Sequence, residues 1–305
     1  MPAEDGTPWP TRTWRAMSPG TRGAIVVLLS IALLALLAPL IAPYAPSHQI
    51  DIVAMKSKPP SLDHPLGTDR FSRDVLSRVL HGLRVTLSVA TVAVIVSAVI
   101  GTAYGLLAAM SGRLVDSVMM RVLDALLAMP RVLLVIAVVA LWAPLPLAAL
   151  IGLLGVTGWF EVSRLVRAEA LSVREREFVL AARSLGAGTG RILTRHVLPN
   201  VLTPVIVTTT INIGQVIMLE AGLSFLGIGA REPVPSLGTM LQDGTEAFAG
   251  TWWVALFPGV TIVTIVLCFN VLGDALRASL DPRQLPSARL GTRTAALAAT
   301  PLVPE

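Results

Sequence analysis

The sequence is short of cysteine and of charge, and both shortages exclude classes of function. Its single cysteine, Cys268, lies in an apolar run, so the chain can form no internal disulfide and carries no cysteine-based zinc or haem motif. Charged residues make up only 14% of the 305 residues, whereas roughly 25% is usual in soluble domains. Because 54% of the residues are hydrophobic and the mean hydropathy is +0.73, the composition indicates an integral membrane protein with several spans.

Nucleotide-binding and catalytic motifs are also missing. The phosphate-binding pattern Gly-x4-Gly-Lys-Ser/Thr is absent, and its nearest counterpart, 186–191, ends in arginine and follows no predicted strand. The four histidines are scattered, without a nucleophile–base pair or a metal-ligand cluster. We therefore expect no catalytic residue, no metal site and no cofactor in this chain. We expect no nucleic-acid binding either, since a net charge of +5 in a membrane protein reflects topology.

Long uncharged stretches predict an all-α fold with about six transmembrane helices. A polar tail, 1–22, precedes the first span, 23–45, which lacks a clear signal-peptide cleavage site and is interpreted as retained. An extracytoplasmic segment, 46–84, contains an amphipathic interfacial helix. The core, 85–278, contains five further spans, and a second tail occupies 279–305.

The interfacial helix is predicted from an amphipathic pattern that follows a turn, with Asp69 or Ser72 as its N-cap. Segment 46–84 also holds six basic residues, which is unusual for an outer segment. Even so, an orientation with both termini in the cytoplasm places sixteen basic residues inside and seven outside. We therefore predict cytoplasmic amino and carboxyl termini.

Several polar residues fall within the predicted spans, where ionisable groups are costly and often functional. Asp124 and Arg131 lie seven positions apart on one face of an interrupted third span and can form an ion pair. Glu220 precedes a Gly- and Pro-rich stretch that cannot continue as a helix. For each of these a structural role and a role in a transport pathway both stay open. The same alternatives hold for the polar residues of span five, 208–210 and Asn212.

Segment 172–200 is polar and arginine-rich and lies between two long apolar runs. Ser172 and Glu175 form a capping box, which predicts that a helix starts there. One face of this helix carries apolar residues at positions i, i+3, i+4 and i+7, namely Phe178, Ala181, Ala182 and Leu185. Gly186 follows as a left-handed cap, and a second short helix is predicted to stop at Pro199. An ordinary basic loop that only fixes topology is the alternative.

The sequence LAARSLG, followed by RILTRHVLPN, resembles the cytoplasmic loop of permease subunits in binding-protein-dependent ABC importers. The agreement includes Ala181, Ala182, Gly186, Leu198 and Pro199, and the departures are Leu180 for glutamate and His196 for isoleucine. Three further stretches, HPLGTDRFSRDVLSRV, EAGLSFLGIG and FNVLGDALRASLDPR, resemble the C-type permease of dipeptide and oligopeptide importers. In the first of these, Ser72 stands where that family has glycine.

The resemblance implies a multi-pass permease subunit in the lipid bilayer of a bacterial or archaeal inner membrane. It implies a second permease subunit, two ATPase subunits that bind ATP and magnesium, and an extracytoplasmic solute-binding protein as partners. The loop 172–200 would dock in a groove of an ATPase subunit and transmit its motion, with Ala181, Ala182 and Gly186 as the coupling core. Peptides are the implied solutes, and nickel or another small solute is the alternative.

Two other classes of function compete with this interpretation. A self-sufficient secondary transporter or channel needs an inverted repeat or a relay of intramembrane ionisable residues, and the sequence shows neither. A membrane-embedded enzyme needs a catalytic cluster, which is also absent. We therefore expect a passive gate that is moved by ATPase subunits outside this chain.

Overall fold

The computed structural model describes residues 17–142, 145–230, 233–246 and 250–280, and most of these are helical. In chain order the helices are α1 (Pro19–Ile41), α2 (Val75–Met110), α3 (Arg113–Leu127), α4 (Arg131–Trp142), α5 (Leu147–Arg174), α6 (Glu177–Ser184), α7 (Thr189–Ile192), α8 (Leu198–Phe225), α9 (Leu237–Glu246) and α10 (Trp252–Leu280). A π-helical turn, Leu193–Val197, joins α7 to α8. Most of the predicted tails, 1–22 and 279–305, lies outside the described residues.

Among the described residues, five helices and one bent pair of helices are candidates for crossing a membrane. By length and composition, α1, α2, α5, α10 and α8 with the turns before it each qualify, and the bent pair α3–α4 makes a sixth. The predicted all-α fold with about six spans is thereby confirmed. Ser18 caps α1 by accepting a hydrogen bond from the Thr21 N–H at 3.2 Å, and Pro19 occupies the first turn. The first span thus begins inside the predicted tail.

Side-chain contacts define two ends of the helix bundle. Trp253 Nε1 donates to the Thr68 carbonyl at 3.1 Å, which holds segment 42–74 against the start of α10. At the other end, the guanidinium of Arg174 donates to the Ala109 carbonyl and joins the last turns of α5 and α2. We call the end that contacts segment 42–74 the segment end. We call the opposite end the loop end, because α6 and α7 follow α5 there.

The predicted interfacial helix is not a separate element. Its residues form the first turns of α2, which continues without a break to Met110. The N-cap is Asp74, whose side chain accepts from the Ser77 N–H at 2.8 Å, so the predicted caps Asp69 and Ser72 are wrong. Three apolar residues of the pattern belong to the main hydrophobic core: Val75, Val79 and Leu83. The amphipathic pattern therefore reflects packing within the protein and not a membrane surface.

Helices α2 and α5 approach closely because glycines face their contact. A Cβ added at Gly105 of α2 would lie 2.5 Å from the Ser163 carbonyl oxygen and 2.8 Å from Val166 Cβ. A Cβ added at Gly155 of α5 would lie 2.8 Å from Val96 Cγ1. Small residues at such positions let two backbones approach, and this close packing drives helix association in membranes.

The third span is broken between α3 and α4, whose axes differ by 77°. Pro130 lies in the break, and the α conformation is disfavoured for the residue before a proline. Asp124 of α3 pairs with Arg164 of α5, whereas Arg131 of α4 donates to the Leu154 carbonyl at 2.8 Å. The predicted ion pair between Asp124 and Arg131 is therefore wrong, because the bend separates their helical faces and each finds a partner on α5.

Two of the three consecutive threonines of span five form hydrogen bonds within their own helix. Thr209 Oγ1 donates to the Val205 carbonyl and Thr210 Oγ1 to the Ile206 carbonyl, both at 2.8 Å. Such bonds to the preceding turn satisfy a hydroxyl without a neighbouring helix. These two hydroxyls therefore need neither of the predicted roles, helix adhesion or pathway lining.

Candidate functional site

The segment predicted as a coupling loop contains α6, α7 and the π-helical turn. Helix α5 continues through Ser172 to Arg174, and Glu175 is its C-cap, so the predicted capping box does not form. Helix α6 begins instead after Arg176, which is its N-cap residue. The difference has a tertiary cause, since buried Val173 packs the last turn of α5 into a hydrophobic cluster and keeps it helical.

The second helix of this segment does not stop at Pro199, contrary to the prediction. Residues 193–197 form the π-helical turn, which runs directly into α8, and Pro199 occupies the first turn of α8. Proline and π-helical turns both perturb the regular hydrogen-bond ladder, and here they occur side by side. The sequence signal for a helix end therefore marks a change of helical geometry instead.

The segment 177–197, which contains α6, α7 and the π-helical turn, is attached to the longer helices by buried apolar side chains. Val179 of α6, Ile192 of α7 and Val197 of the π-helical turn are buried. They join one hydrophobic cluster with Leu106 of α2 and Val166 of α5. Because protein interiors are close-packed, a displacement of α6 must shift these neighbours or open a cavity.

The outer face of α6 exposes apolar side chains. Phe178 is 43% exposed and Leu185 is 90% exposed. Ala181 is exposed as well, and Ala182 is partly buried. The ring of Phe178 lies beside that of His196, with 6.0 Å between the ring centroids. Apolar side chains gathered on a polar loop are typical of a protein interaction surface.

Gly186 ends α6 in the left-handed conformation, with φ of +81°. Its N–H donates to the Arg183 carbonyl, and the Ala187 N–H donates to the Ala182 carbonyl, both at 3.0 Å. These two bonds form a Schellman motif, in which glycine is favoured because a Cβ is costly at positive φ. A Cβ at Gly186 would meet no atom within 4 Å, so the backbone conformation and not space requires glycine.

The segment end holds an ionic network that sequence reasoning missed. Asp243 of α9 lies 3.1 Å from Arg73, 3.2 Å from Arg78 and 3.3 Å from Arg70. Asp69 accepts from Arg73 Nε at 2.6 Å. Burial raises the pKa of Asp243 above its ordinary value, while the three guanidiniums oppose that shift. Arg70, Arg73 and Arg78 are three of the six basic residues in segment 46–84, which is unusually basic for an outer segment. Their shared partner Asp243 lies up to 173 positions away in the sequence.

A second buried cluster shapes the turn before α2. His64 Nδ1 lies 2.9 Å from Asp74 Oδ1. Gly67 has φ of +77°, and a Cβ there would lie 2.7 Å from Trp253 Nε1. Ser72 has φ of +61°, and its buried Oγ has no hydrogen-bond partner among the described residues. The left-handed backbone explains why glycine suits this position in the family that the sequence resembles.

The three ionisable residues predicted within the spans are not brought together. Glu220 is fully buried, and its carboxylate accepts from Ser224 Oγ at 2.7 Å and from Thr86 Oγ1 at 3.3 Å. Ser224 Oγ also accepts from the Ala230 N–H at 3.0 Å. Glu220 therefore links α8 to α2 and, through Ser224, to the turn after α8. The other two residues lie at the broken span, each with a partner on α5.

Comparison with known protein families assigns the chain to one family of membrane proteins. The family described as binding-protein-dependent transport system inner membrane component matches residues 101–285. The chain belongs to this family, the multi-pass inner-membrane permease subunits of ABC importers, which are transport subunits and not enzymes. A second match, to the N-terminal TM domain of oligopeptide transport permease C, covers residues 20–60 and narrows the assignment to the C-type branch. The resemblance noted in the sequence is thereby confirmed.

Individual relatives cover nearly the whole chain. It is 37% identical over 295 residues to the dipeptide transport system permease protein DppC of Alkalihalophilus pseudofirmus, covering 93% of this chain and 96% of the relative. It is 38% identical to the di/tripeptide transport system permease protein DppC of Pseudomonas aeruginosa, covering 88% and 89%. It is 36% identical to the oligopeptide transport system permease protein OppC of Bacillus subtilis, covering 85% and 84%.

Solved structures support the fold. A chain of the MetNI methionine ABC transporter in an inward-facing conformation superposes with a TM-score of 0.56 at 19% identity. That match covers 68% of this chain and 98% of the MetNI chain. A chain of an amino acid ABC transporter gives a TM-score of 0.53 at 15% identity, covering 67% and 95%. At these identities the likeness concerns the fold alone.

Proposed function

We propose that this chain and a second permease subunit form a translocation pathway, which two ATPase subunits switch between inward- and outward-open states. The ATPase subunits bind ATP and magnesium, and this chain binds neither. A solute-binding protein outside the membrane delivers the solute. The observation that carries the proposal is α6, a short helix whose apolar outer face is accessible while its base is packed against the transmembrane helices.

Motion of α6 reaches the membrane-spanning helices through packed and ionic contacts. Buried Val179 contacts the cluster shared by α2, α5 and α8. Near the loop end, Asp116 of α3 accepts two hydrogen bonds from Arg167 of α5, at 2.5 and 2.6 Å. Arg174 adds the bond from α5 to α2. Docking of an ATPase subunit on α6 therefore acts on four helices at once.

The loop end faces the cytoplasm in this proposal, because the ATPase subunits are cytoplasmic. The helix directions support it, since α1 begins and α10 ends at the loop end. This orientation also places most basic residues in the cytoplasm, as the positive-inside rule favours. The segment end then faces the binding protein, and two of its arginines, Arg73 and Arg78, are buried and paired with carboxylates.

Peptides are the proposed solutes. The three relatives described above are named for transport of dipeptides, di- and tripeptides, and oligopeptides. Nickel, the alternative solute that the sequence left open, has no support in those names. The test is uptake by the complete importer, reconstituted in vesicles with its binding protein, from a panel of di-, tri- and oligopeptides and nickel. Uptake of nickel without uptake of any peptide would overturn the assignment.

Coupling through α6 is tested by a pair of glycine substitutions. Gly186→Val places a β-branched residue at φ of +81°, which distorts the cap of α6. Gly188 has φ of −67° and, like Gly186, has open space where a Cβ would lie, so Gly188→Val is the matched control. We expect Gly186→Val to reduce ATP-driven uptake roughly tenfold or more, as loss of a gating motion does, with normal insertion in the membrane. The control should keep most of the uptake.

Uptake at the normal rate by the Gly186→Val importer would contradict the coupling assignment. Equal loss in both variants would contradict the role given to the left-handed cap. Membrane content of each variant, measured by quantitative blotting, separates loss of coupling from loss of protein.

A further inference from the structure

Two opposite charges line a small cavity at the bend of the third span. Arg131 begins α4 at the bend of the third span, and Glu161 lies midway along the 28-residue helix α5. Both line a cavity of about 170 Å³, together with Met129, Thr157 and Gly158. This cavity is separate from the coupling loop and from the ionic network of the segment end.

Arg131 is oriented by neutral groups. Its Nη2 donates to the Leu154 carbonyl at 2.8 Å, and its Nε donates to Thr157 Oγ1 at 3.5 Å. Gly158 makes room for the guanidinium, since a Cβ there would lie 2.9 Å from Arg131 Nη2. Among the described residues no carboxylate lies within ion-pair distance of this arginine. The guanidinium is therefore held in place without being neutralised.

Glu161 provides the negative charge at this cavity. Its side chain is exposed and attracts Arg131 electrostatically, but it forms no hydrogen bond or ion pair with a described residue. Three other carboxylates of the spanning helices have partners. Asp116 pairs with Arg167, Asp124 pairs with Arg164, and Glu220 accepts from Ser224 and Thr86. Arg131 and Glu161 thus face each other across the cavity without closing into a salt bridge.

We propose that this cavity is a transient binding site on the translocation pathway, where Arg131 binds the carboxylate and Glu161 the ammonium group of a zwitterionic solute. Ionisable groups at membrane depth commonly mark solute pathways. Guanidinium and carboxylate form strong, oriented hydrogen bonds, and the two ends of a short peptide carry both complementary charges whatever its side chains are. The inference rests on the proposed transport of peptides and adds the residues that recognise them.

The test is photolabelling of the complete importer, purified without its binding protein and without nucleotide. The probe is the peptide that the importer takes up best from the uptake panel, synthesised with a photoreactive leucine analogue carrying a diazirine. After irradiation, proteolysis and mass spectrometry locate the label. We expect labelling of the cavity lining around Met129 and Gly158, and a reduction of about fivefold or more when the carboxyl terminus of the probe is amidated or its amino terminus acetylated.

Glu161→Gln is the most informative variant, because Glu161 forms no hydrogen bond with a described residue whose loss would destabilise the fold. We expect it to lower labelling by the free peptide and to abolish the preference for a free amino terminus. Arg131→Gln should abolish the preference for a free carboxyl terminus. Arg164→Gln removes an arginine from the same helix as Glu161 but outside the cavity lining, and it should label like the unmodified importer.

The inference is overturned if the unmodified importer is not labelled at the cavity, or if blocked and free peptides label it equally. It is also overturned if Glu161→Gln labels as the unmodified importer does. Uptake in vesicles separates these results from failure of the proposed function. Peptide uptake without cavity labelling rejects only the site, whereas no uptake of any peptide rejects peptide transport and the site together.

Discussion

At the scale of single residues, left-handed backbone conformations shape several of the turns. Gly67 and Gly186 both adopt positive φ, and each closes a turn that an L side chain would strain. Ser72 adopts the same conformation with a side chain in place, at φ of +61°. Its hydroxyl is buried without a hydrogen-bond partner among the described residues. The turn before α2 is therefore less stable than it could be.

Ser72→Gly should raise the stability of this protein. Relief of the left-handed strain and removal of an unsatisfied buried hydroxyl outweigh the extra chain entropy of glycine, for a net gain of about 1 kcal/mol. The backbone bonds of residue 72, to the carbonyl of Asp69 and from the N–H of Ile50, are unaffected by the change. The measurement is the thermal unfolding midpoint of the purified importer.

Ser72→Ala separates the two contributions, because it removes the hydroxyl and keeps the strain. It should raise the unfolding midpoint less than Ser72→Gly does. A lower midpoint for Ser72→Gly than for the unmodified protein would mean that the hydroxyl has a partner which the turn requires.

At the scale of elements, the contact between α2 and α5 is central to the packing of the helix bundle. The two helices run in the same direction and approach closely at Gly105 and Gly155. At the loop end the same pair receives the packed base of α6, and α3 is tied to α5 by Asp116 and Arg167. In the proposed mechanism, rigid packing here lets the short helix α6 act on the spans.

Gly105→Ala should destabilise the contact between α2 and α5. Its Cβ would lie 2.5 Å from the Ser163 carbonyl oxygen, which cannot move without shifting the α5 backbone, so overpacking should cost about 1–3 kcal/mol. Gly152→Ala is the control, since a Cβ at that position of α5 meets nothing within 4 Å. We expect a lower unfolding midpoint and lower coupled ATPase activity for Gly105→Ala alone. Equal midpoints for both variants would contradict the close approach.

At the scale of the whole molecule, the proposed role is that of a gate whose energy source lies in other subunits. Its sequence has no phosphate-binding motif. Within the part of the chain that the structure describes, no cluster of His, Cys, Asp or Glu residues could hold a metal. The exposed face of α6 is the proposed attachment surface for the ATPase subunit that supplies the energy.

The purified chain reconstituted alone should not accumulate peptide against a gradient. Addition of the second permease, the ATPase subunits, the binding protein, ATP and magnesium should restore accumulation, and chelation of magnesium should abolish it. Accumulation by the chain alone, driven by an ion gradient, would instead support the secondary-transporter alternative.

Local sequence determined the helices, the family and the positions of several turns. Apolar runs predicted about six membrane-crossing elements, and the described residues contain five such helices and one bent pair. Satisfying the backbone in lipid leaves few other structures. Gly186 was predicted as a left-handed cap from its place after an apolar face, and the structure has it at φ of +81°. Such features depend on neighbours within a few residues, so a sequence read in order reveals them.

Tertiary structure decided the partners of charged residues and the ends of the helices. Asp243 contacts arginines at least 165 positions away, and Asp124 pairs with Arg164 and not with the nearer Arg131. The capping box at Ser172 was overridden because packing extends α5, and the interfacial helix became the start of α2 for the same reason. Burial and ion pairing depend on which helices meet, and no local pattern in this chain specifies that.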